Sequence, residues 1–491
     1  MTVSMAGSVP GLTVRAGLTG SLNEIDPRKA VDYVSGLVLG QIFEPPYEAR
    51  FGEDGVKPLL FERLRAEDSQ HRQFSTGIVP GILFSDGTPL TADLAARSLH
   101  MTSALTASRV SIDVRGDRLW FTLASSNPRF ELALTHGACS IVLDKGMQLH
   151  GTGPFMFAQR PNLRLLKTMP AVRLVRNPHF HGRSKIQEVE FHVFHPEADG
   201  SPRSLVDALR EGRIDVTTAL SMADLSTWQL TGIVPVTRPA NSTALLFFNT
   251  ERGSLKSSAA RRGIAMTLDH YAIASLLYTR NAAAFIANSL LPPAMASGGA
   301  SLLSRTDAPR LIAESGLAGT ELTLVVPWAP RPYLTKPLPV AELIRTQLAG
   351  AGIRLKVIDT KTSEEFFETL GAGRFDLALG GWIADTPDPA DFFEALLSSR
   401  VIGSEGHSNY SRWRHPATDA ALERFRNDPS DTNRLAIDAL VRSEMPLLPL
   451  VFGQSSALHS RRLRDVTITA TGLLPLADVS IAAPREAVAL A

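Results

Sequence analysis

Apolar residues recur with two different periods along this chain, and the alternation of the two predicts an α/β protein. In the second half, the apolar run 322–326 predicts a buried strand, and apolar positions in 340–348 follow at the spacing of one helix face. Residues 353–357 alternate as the next strand. Ser363 is expected to cap a short helix before a further strand at 375–379. This order of strand, helix and strand indicates a βαβ unit.

The residues after the last of these strands predict a ligand site. The strand is expected to end at Gly380, Gly381 and Trp382, and glycine lets a backbone approach a ligand closely. Because open α/β sheets bind ligands outside the carboxyl ends of their strands, Trp382 is predicted to form a pocket wall. Asp385 lies three residues further on. A carboxylate enclosed there needs a cation, which a ligand ammonium would supply.

Residues 41–154 have a different pattern and predict a separate α+β domain. Thr91 is a good N-cap for a helix that continues to about Met101. Residues 110–123 then alternate on both sides of a turn at Gly116, which predicts a β-hairpin with one buried face.

The composition is that of an ordinary globular protein and excludes several classes of function. The chain has 491 residues, of which 44% are hydrophobic and 20% charged. It is long enough for about two to four domains and is neither disordered nor fibrous. A net charge of +1 provides no global field for nucleic acid, so none is expected as a partner. The single cysteine, Cys139, excludes an intrachain disulfide and is expected to be a buried thiol.

No apolar run approaches the length needed to cross a bilayer, which takes about 20 residues. The N-terminal segment has no basic residue before Arg15, no apolar core and no cysteine for lipid attachment. It is therefore not expected to be a secretory signal. Either the protein acts in the cytoplasm or its export segment is absent from this sequence.

Three other groups of polar residues are expected to be structural. Histidines cluster in 179–195 at spacings seen in metal sites, but the strand pattern around them favours a solvated face. Neither a metal nor a cofactor is predicted. Ser455 and His459 faintly resemble a nucleophile and its base, but the second glycine of the elbow motif is missing. Asp388 and Asp391 suit turn and N-cap positions.

Several ordered blocks of the sequence resemble one protein family. The blocks are QIFEPPYEARFGEDGVKPLLFE at 41–62, FSDGTPLTADL at 84–94, GTGPF at 151–155, RNPHFHG at 176–182, RRGIAMTLD at 261–269 and GWIADTPDPADFF at 381–393. Together they resemble the signature blocks of family 5 of the extracytoplasmic solute-binding proteins of ABC transporters, the oligopeptide, dipeptide and nickel-binding group. The resemblance covers nearly the whole chain.

The resemblance implies a type II periplasmic-binding-protein fold, an α/β fold with two lobes joined by a hinge and an extra α+β domain inserted in lobe I. Lobe I is expected to comprise residues 1–40, 155–248 and 458–491. The inserted domain is expected at 41–154 and lobe II at 249–457.

The resemblance also implies which residues bind the ligand. In peptide-binding members an aspartate after the GW strand holds the ligand's α-ammonium, and Asp385 has that position here. Dipeptide-binding members use an arginine in an RPY segment for the ligand carboxylate, which Arg331 matches, and a guanidinium can hold a carboxylate through two hydrogen bonds. The predicted ligand-binding residues are Asp385, Arg331, Trp382, Gly381, Tyr333 and Trp328. Thr386 and His181 stand where the family has aromatic residues, which leaves the identity of the ligand open.

The predicted function is that of a binding protein and not of an enzyme. It would enclose a short peptide or peptide-like amine between its lobes and deliver it to the permease subunits of an ABC transporter. By the resemblance it is expected to be a monomer in the periplasm. The alternative is a cytoplasmic protein that reuses the fold as a ligand sensor, or as a biosynthetic enzyme acting on an amine or acyl substrate. The missing signal favours this alternative, and the lack of an identifiable nucleophile and base opposes the enzyme.

Overall fold

The computed structural model divides the chain into two compact units. It describes residues 12–482 apart from 31, 51–55, 147, 196, 198–200, 279–280, 296–303, 328, 330 and 405–406. The first unit comprises 1–50, 55–238 and 455–491, and the second comprises 51–54 and 239–454. Two strands, Ile233–Phe248 and Leu447–Ser460, belong in part to each unit. The boundaries proposed above for the two lobes and the inserted domain remain predictions.

The first unit contains a mixed sheet. Thr13–Thr19 lies between two parallel neighbours, Glu188–Phe194 and Val216–Thr217. Ala171–Arg176 and Phe155–Phe157 extend the sheet with antiparallel pairing. Successive side chains of a strand point to opposite faces, so the two faces of this sheet can be covered by different parts of the chain.

The central strand shows this alternation. Ala16 and Leu18 belong to a core below 4% exposure. Gly17 faces the other side, where a Cβ would lie 2.6 Å from atoms of Leu205 and Ile214. Glycine at this position therefore lets the helix Arg203–Arg210 pack closely on the sheet.

A second, antiparallel sheet lies within residues 41–154. The hairpin predicted at 110–123 is confirmed as Ser111–Arg115 and Arg118–Thr122, with φ +65° at Gly116. The helix predicted after Thr91 is confirmed as Ala92–His100, and the Thr91 hydroxyl accepts a hydrogen bond from the N–H of Leu94 at 3.3 Å. The strand order is Arg65–Ala66, Gln73–Thr76, Arg118–Thr122, Ser111–Arg115.

The other described elements of the first unit are short. Its strands include Tyr47–Ala49, Val56–Pro58, Leu143–Asp144, Leu149–His150, Leu463–Arg464 and Ser480–Ile481. Its helices and 3-10 turns include Tyr33–Leu39, Ser103–Ala107, Phe130–Ala133, Gly137–Cys139, Leu163–Thr168 and Met222–Thr227.

The sheet of the second unit has helices on both faces. Glu321–Val326 is parallel to Arg354–Asp359 on one side and to Leu377–Ile383 on the other, and Ile233–Phe248 is antiparallel to Leu377–Ile383. Alternate residues enter two different cores. Leu377 and Leu379 enter one core, and Ala378 between them enters the other, which explains why these strands read as continuous apolar runs.

The helices of the second unit confirm the predicted βαβ order, with one correction. The helix predicted before Gly350 is Pro337–Gly350. The prediction that Ser363 caps the next helix is wrong, because Thr362 is the N-cap and its hydroxyl accepts from the N–H of Glu365 at 3.1 Å. The helices and 3-10 turns are Gly253–Lys256, Ser258–Thr267, His270–Leu277, Ala282–Phe285, Ala308–Glu314, Pro337–Gly350, Ser363–Gly371, Pro389–Leu397, Ser399–Val401, Pro416–Asn427 and Asp431–Glu444.

A buried arginine joins two of these helices. The guanidinium of Arg261, on Ser258–Thr267, donates to the carbonyl oxygens of Leu255, Lys256 and Met445 at 2.6–3.0 Å. It also donates to the carbonyl of Glu444 at the end of the last helix. Buried carbonyls without donors are costly, so Arg261 has a structural reason to occupy the signature block at 261–269.

Two signature blocks of the first unit meet through backbone contacts. A Cβ on Gly153 would lie 2.7 Å from the carbonyl oxygen of Ile42. The amide of Asn177 donates to the carbonyl of Gly153 at 2.8 Å. These residues belong to the IFE, GTGPF and RNPHFHG segments, which are thus required for packing.

Among the helices that can be described, none has both the length and the apolar character needed to cross a membrane.

Candidate functional site

The candidate site of the second unit lies where two parallel strands end. Glu321–Val326 and Leu377–Ile383 are neighbours, so their carboxyl ends lie at the same edge of the sheet. Arg331 and Tyr333 follow the first strand, and Asp385 follows the second. Ligands of open α/β sheets bind outside this kind of edge.

Arg331 and Tyr333 are held in a tight turn. The N–H of Arg331 donates to the carbonyl of Leu334 at 3.0 Å, and the N–H of Leu334 donates back to the carbonyl of Arg331 at 2.9 Å. Burial lowers the pKa of the Arg331 guanidinium, and the neighbouring Tyr333 opposes this shift. Burial also raises the pKa of Tyr333 to about 12. The turn therefore presents a cation beside a neutral phenol at neutral pH.

The glycine pair has a different role from the one the sequence suggests. The strand predicted to end in the glycines and Trp382 includes both glycines in its interior and continues to Ile383. A Cβ on Gly381 would overlap the carbonyl oxygen of Thr243 and would lie 2.5 Å from Cε2 of Tyr333. A Cβ on Gly380 would lie 3.0 Å from Cε2 of Phe247. The missing side chains thus make room for the protein's own aromatic rings.

Asp391 holds together the segment that contains Trp382 and Asp385. Its Oδ1 accepts the indole N–H of Trp382 at 2.7 Å. Its Oδ2 accepts the backbone N–H groups of Asp385 at 2.9 Å and Thr386 at 3.3 Å. One carboxylate therefore joins the end of the strand to the loop that follows it.

Burial makes the ionisation of the Asp391 carboxylate less favourable. Burial, together with the charge of Asp385, raises the pKa of Asp391 to about 6, although the hydrogen bonds from Trp382, Asp385 and Thr386 oppose the shift. Of the two aspartates predicted to serve as turn and N-cap residues, Asp391 is not an N-cap, but it holds the turn at Asp385 and Thr386 through their N–H groups. Asp388 is the N-cap of Pro389–Leu397 and accepts from the N–H of Ala390 at 3.0 Å.

The predicted site residues fall into two contact groups. Tyr333 lies on Gly381, and Arg331 belongs to the same hydrogen-bonded turn as Tyr333. Asp391, which the sequence analysis did not select, joins Trp382 to the backbone of Asp385. The side chain of Asp385 is exposed.

One predicted residue, Trp328, lies outside the residues that the structure describes. For Trp382, the contact with Asp391 could not have been read from sequence spacing, and neither could the role of Asp391 itself. Polar residues within about ten positions after a GW strand would have been the available signal.

The other candidate groups have structural partners. In the described ranges, no group of three or more histidine, cysteine, aspartate or glutamate side chains could hold a metal ion. The hydroxyl of Ser455 donates to the carbonyl of Ala470 at 3.1 Å, and Nδ1 of His459 lies 2.9 Å from the carbonyl of Ser460. Cys139 is 1% exposed, and burial raises the pKa of its thiol to about 12.

His181 also has a specific partner. Its Nε2 lies 2.9 Å from Oε2 of Glu44, which also accepts the hydroxyl of Thr152 at 2.8 Å. The hydrogen bond to Glu44 raises the pKa of His181. A histidine in this signature block therefore has a hydrogen-bonding reason to replace an aromatic residue.

Residues 55–404 match the model of the bacterial extracellular solute-binding proteins, family 5. The match covers more than half of the chain, and the protein belongs to this family. The sequence resemblance is thereby confirmed.

Curated relatives match more distantly. "Peptide transport periplasmic protein SapA" of Salmonella typhimurium is 25% identical over 251 residues, which is 50% of this chain and 45% of SapA. "Probable ABC transporter periplasmic-binding protein SapA" of Escherichia coli is 26% identical over 339 residues, 67% of this chain and 59% of that protein. "Di/tripeptide-binding protein 1" of Pseudomonas aeruginosa is 22% identical over 344 residues, 67% and 61% of the two chains. The matched regions thus span about half to three fifths of these relatives.

Solved structures establish the fold. The ABC transporter substrate-binding protein CtaP of Listeria monocytogenes has a TM-score of 0.81 at 20% identity, over 96% of this chain and 99% of CtaP. HbpA2 of Haemophilus parasuis has a TM-score of 0.79 at 20% identity, over 96% and 100%. The predicted type II periplasmic-binding-protein fold with two lobes is confirmed.

Proposed function

We propose that this protein binds a short peptide or a peptide-like amine and delivers it to an ABC transporter. The family match over residues 55–404 carries the proposal. The names of the relatives indicate the kind of ligand, since two are called peptide transport or di/tripeptide-binding proteins. One neighbouring structure is a dipeptide-binding protein of Pseudoalteromonas sp. SM9913 in complex with Met-Leu, with a TM-score of 0.78 at 18% identity, over 96% of this chain and 100% of that protein.

The charges at the candidate site suit a zwitterion. Arg331 and Asp385 follow two neighbouring parallel strands, and we assign the ligand carboxylate to the first and the ligand ammonium to the second. Two extended residues span about 7 Å, so anchors at both ends favour short peptides. Because Asp385 is exposed, an ammonium gains little from it until binding excludes water from the pair.

The aromatic residues would complete the site. Trp382 is fixed by Asp391 and would pack on the ligand's backbone or a side chain. Tyr333, which lies on Gly381, would do the same beside the carboxylate. Trp328 is assigned to this wall on its sequence position alone.

The remaining parts of the proposal concern partners and location. The expected partners are the permease subunits of an ABC transporter, and the expected location is the periplasm, as for the family. A monomer without catalytic activity is expected. The arrangement of Ser455 and His459 supports the lack of hydrolase activity, because each is hydrogen-bonded to a backbone carbonyl and not to the other.

Isothermal titration with peptides that differ only at their ends tests this function. Wild-type protein is expected to bind trialanine with a Kd near the micromolar range, about −8 kcal/mol. Asp385→Asn should weaken trialanine binding and leave N-acetyl-trialanine unaffected. Arg331→Gln should weaken trialanine and leave its C-terminal amide unaffected.

A surface arginine provides the matched control. Arg345 lies on Pro337–Gly350, is paired with Glu342 and is 54% exposed, so Arg345→Gln should bind every peptide as the wild type does. Absence of binding to any di- or tripeptide would refute the function. Equal losses for free and blocked peptides would refute the two anchors and leave the function standing. Native mass spectrometry of the protein with its co-purified ligand would identify the natural ligand.

A further inference from the structure

The Asp391 carboxylate accepts hydrogen bonds from three N–H groups. The indole N–H of Trp382 and the backbone N–H groups of Asp385 and Thr386 all point to its two oxygens, at 2.7, 2.9 and 3.3 Å. A carboxylate accepts hydrogen bonds at both oxygens and donates none. Asparagine would turn an N–H₂ group either toward the indole or toward the two backbone donors. The site is therefore built for an ionised acid.

The three donors belong to different parts of the candidate site. Trp382 is the second-last residue of its strand. Its ring packs against the core formed by residues such as Phe392 and Phe393. Asp385 and Thr386 are in the loop that follows. Asp391 itself lies in the first turn of Pro389–Leu397. The helix thus fixes the acid, and the acid fixes both the indole and the backbone that carries the Asp385 carboxylate.

We propose that Asp391 is the positioning residue of the ligand-ammonium site: by accepting three N–H groups it sets the places of Trp382 and of the Asp385 backbone. This inference rests on the proposed function and names the residue that makes its ammonium contact selective. We assign Asp391 no contact with the ligand. It acts through the loop, so its loss removes the preference for a free amine without removing the other contacts.

The test compares trialanine with N-acetyl-trialanine by calorimetry. Asp391→Asn should lower the affinity for trialanine roughly tenfold more than the affinity for N-acetyl-trialanine, as expected for loss of hydrogen bonds to a charged group, and any loss that arises through Trp382 should be the same for both peptides. The matched control is Asp388→Asn, which keeps an N-cap residue of equal quality and should not alter the ratio of the two affinities.

A double-mutant cycle separates positioning from a general loss of structure. If Asp391 acts through Asp385, Asp385→Asn with Asp391→Asn should have the same ratio of trialanine to N-acetyl-trialanine affinity as Asp385→Asn alone, because the two losses of amine preference share one contact. Additive changes in this ratio, or equal losses for the free and acetylated peptides in Asp391→Asn, would overturn the inference while the proposed function stands. If the wild type binds no peptide, the proposed function fails first and the role of Asp391 falls with it.

Trp382→Phe covers the case in which Asp391→Asn does not fold. It removes one donor and leaves the two backbone N–H groups on the carboxylate. The free-amine preference is therefore expected to survive, with a lower affinity for both peptides. A preference lost in this variant would show that the indole and not Asp391 places the loop, which would overturn the proposal.

Discussion

A methyl group added at Gly381 should be among the most damaging small changes in the second unit. In Gly381→Ala the new Cβ would overlap the carbonyl oxygen of Thr243 and lie 2.5 and 2.6 Å from two atoms of the Tyr333 ring. Ordinary carbon contacts are about 3.5–4.0 Å. The ring must therefore move by about 1 Å, since Thr243 is fixed by its pairing with Trp382 in the neighbouring strand.

The magnitude follows from two opposing contributions. Overpacking of a fixed site costs about 1–3 kcal/mol, and replacing glycine by alanine restricts the unfolded chain and returns about 0.4–1 kcal/mol. The net expectation is a loss of about 1–2 kcal/mol. Because the displaced ring belongs to the turn at Arg331, we also expect weaker binding of peptides with a free carboxylate.

Urea unfolding followed by circular dichroism measures the stability change, and the midpoints are compared at an unchanged slope. Gly371→Ala is the control, since a Cβ at this helix position meets no atom within 4 Å and alanine is the better helix former by about 1 kcal/mol. Gly380→Ala, with its nearest contact at 3.0 Å, should fall between the two. Gly381→Ala with a midpoint equal to that of Gly371→Ala would refute the packing argument.

Three further experiments test the fold. Cys139 should resist a thiol reagent such as Ellman's reagent in the native protein and react at once in urea. The reason is that Cys139 is 1% exposed and that burial raises the pKa of its thiol to about 12. Rapid labelling of the native protein would contradict this burial. Arg261→Met should lower the free energy of unfolding by about 3 kcal/mol or more, since several buried carbonyls lose their donor. Arg345 is exposed, so the control Arg345→Met should change the free energy of unfolding by less than about 0.5 kcal/mol. For Asp438, burial raises the pKa to about 6 against the pull of Arg434, so the folded protein binds this proton more tightly than the unfolded chain and loses stability as the pH rises from 4 to 6. Asp438→Asn should therefore gain up to about 3 kcal/mol relative to the wild type between pH 4 and pH 7, and parallel pH profiles of the two proteins would show that this carboxyl is not shifted.

Local patterns were sufficient for much of the fold. The helix after Thr91 and the hairpin around Gly116 were predictable because capping and strand alternation depend on residues a few positions apart. The signature blocks were sufficient for the family. Two of these blocks contact each other, since Asn177 donates to the carbonyl of Gly153, 24 residues earlier in the chain.

The candidate site was less predictable because its contacts depend on where a strand ends. The sequence predicted a strand at 375–379 that ends in the two glycines and Trp382, whereas the strand includes all three and continues to Ile383. Four extra residues carry Trp382 to within reach of the next helix, where Asp391 accepts its indole N–H. Helix and strand periods fix which face a side chain is on, but not how far an element extends.

The glycine pair shows why a sequence motif alone does not define a binding surface. Glycine in a strand is equally consistent with the approach of a ligand and with the approach of a neighbouring side chain. In this protein the rings of Phe247 and Tyr333 take the space beside Gly380 and Gly381. In the proposed site the glycines therefore act through the ring of Tyr333, and the ligand is expected to meet the phenol side of that ring and not the glycine backbone. It follows that the charge-matched peptide experiments on Asp385 and Arg331, rather than the presence of the GW motif, decide whether this edge of the sheet binds a zwitterion.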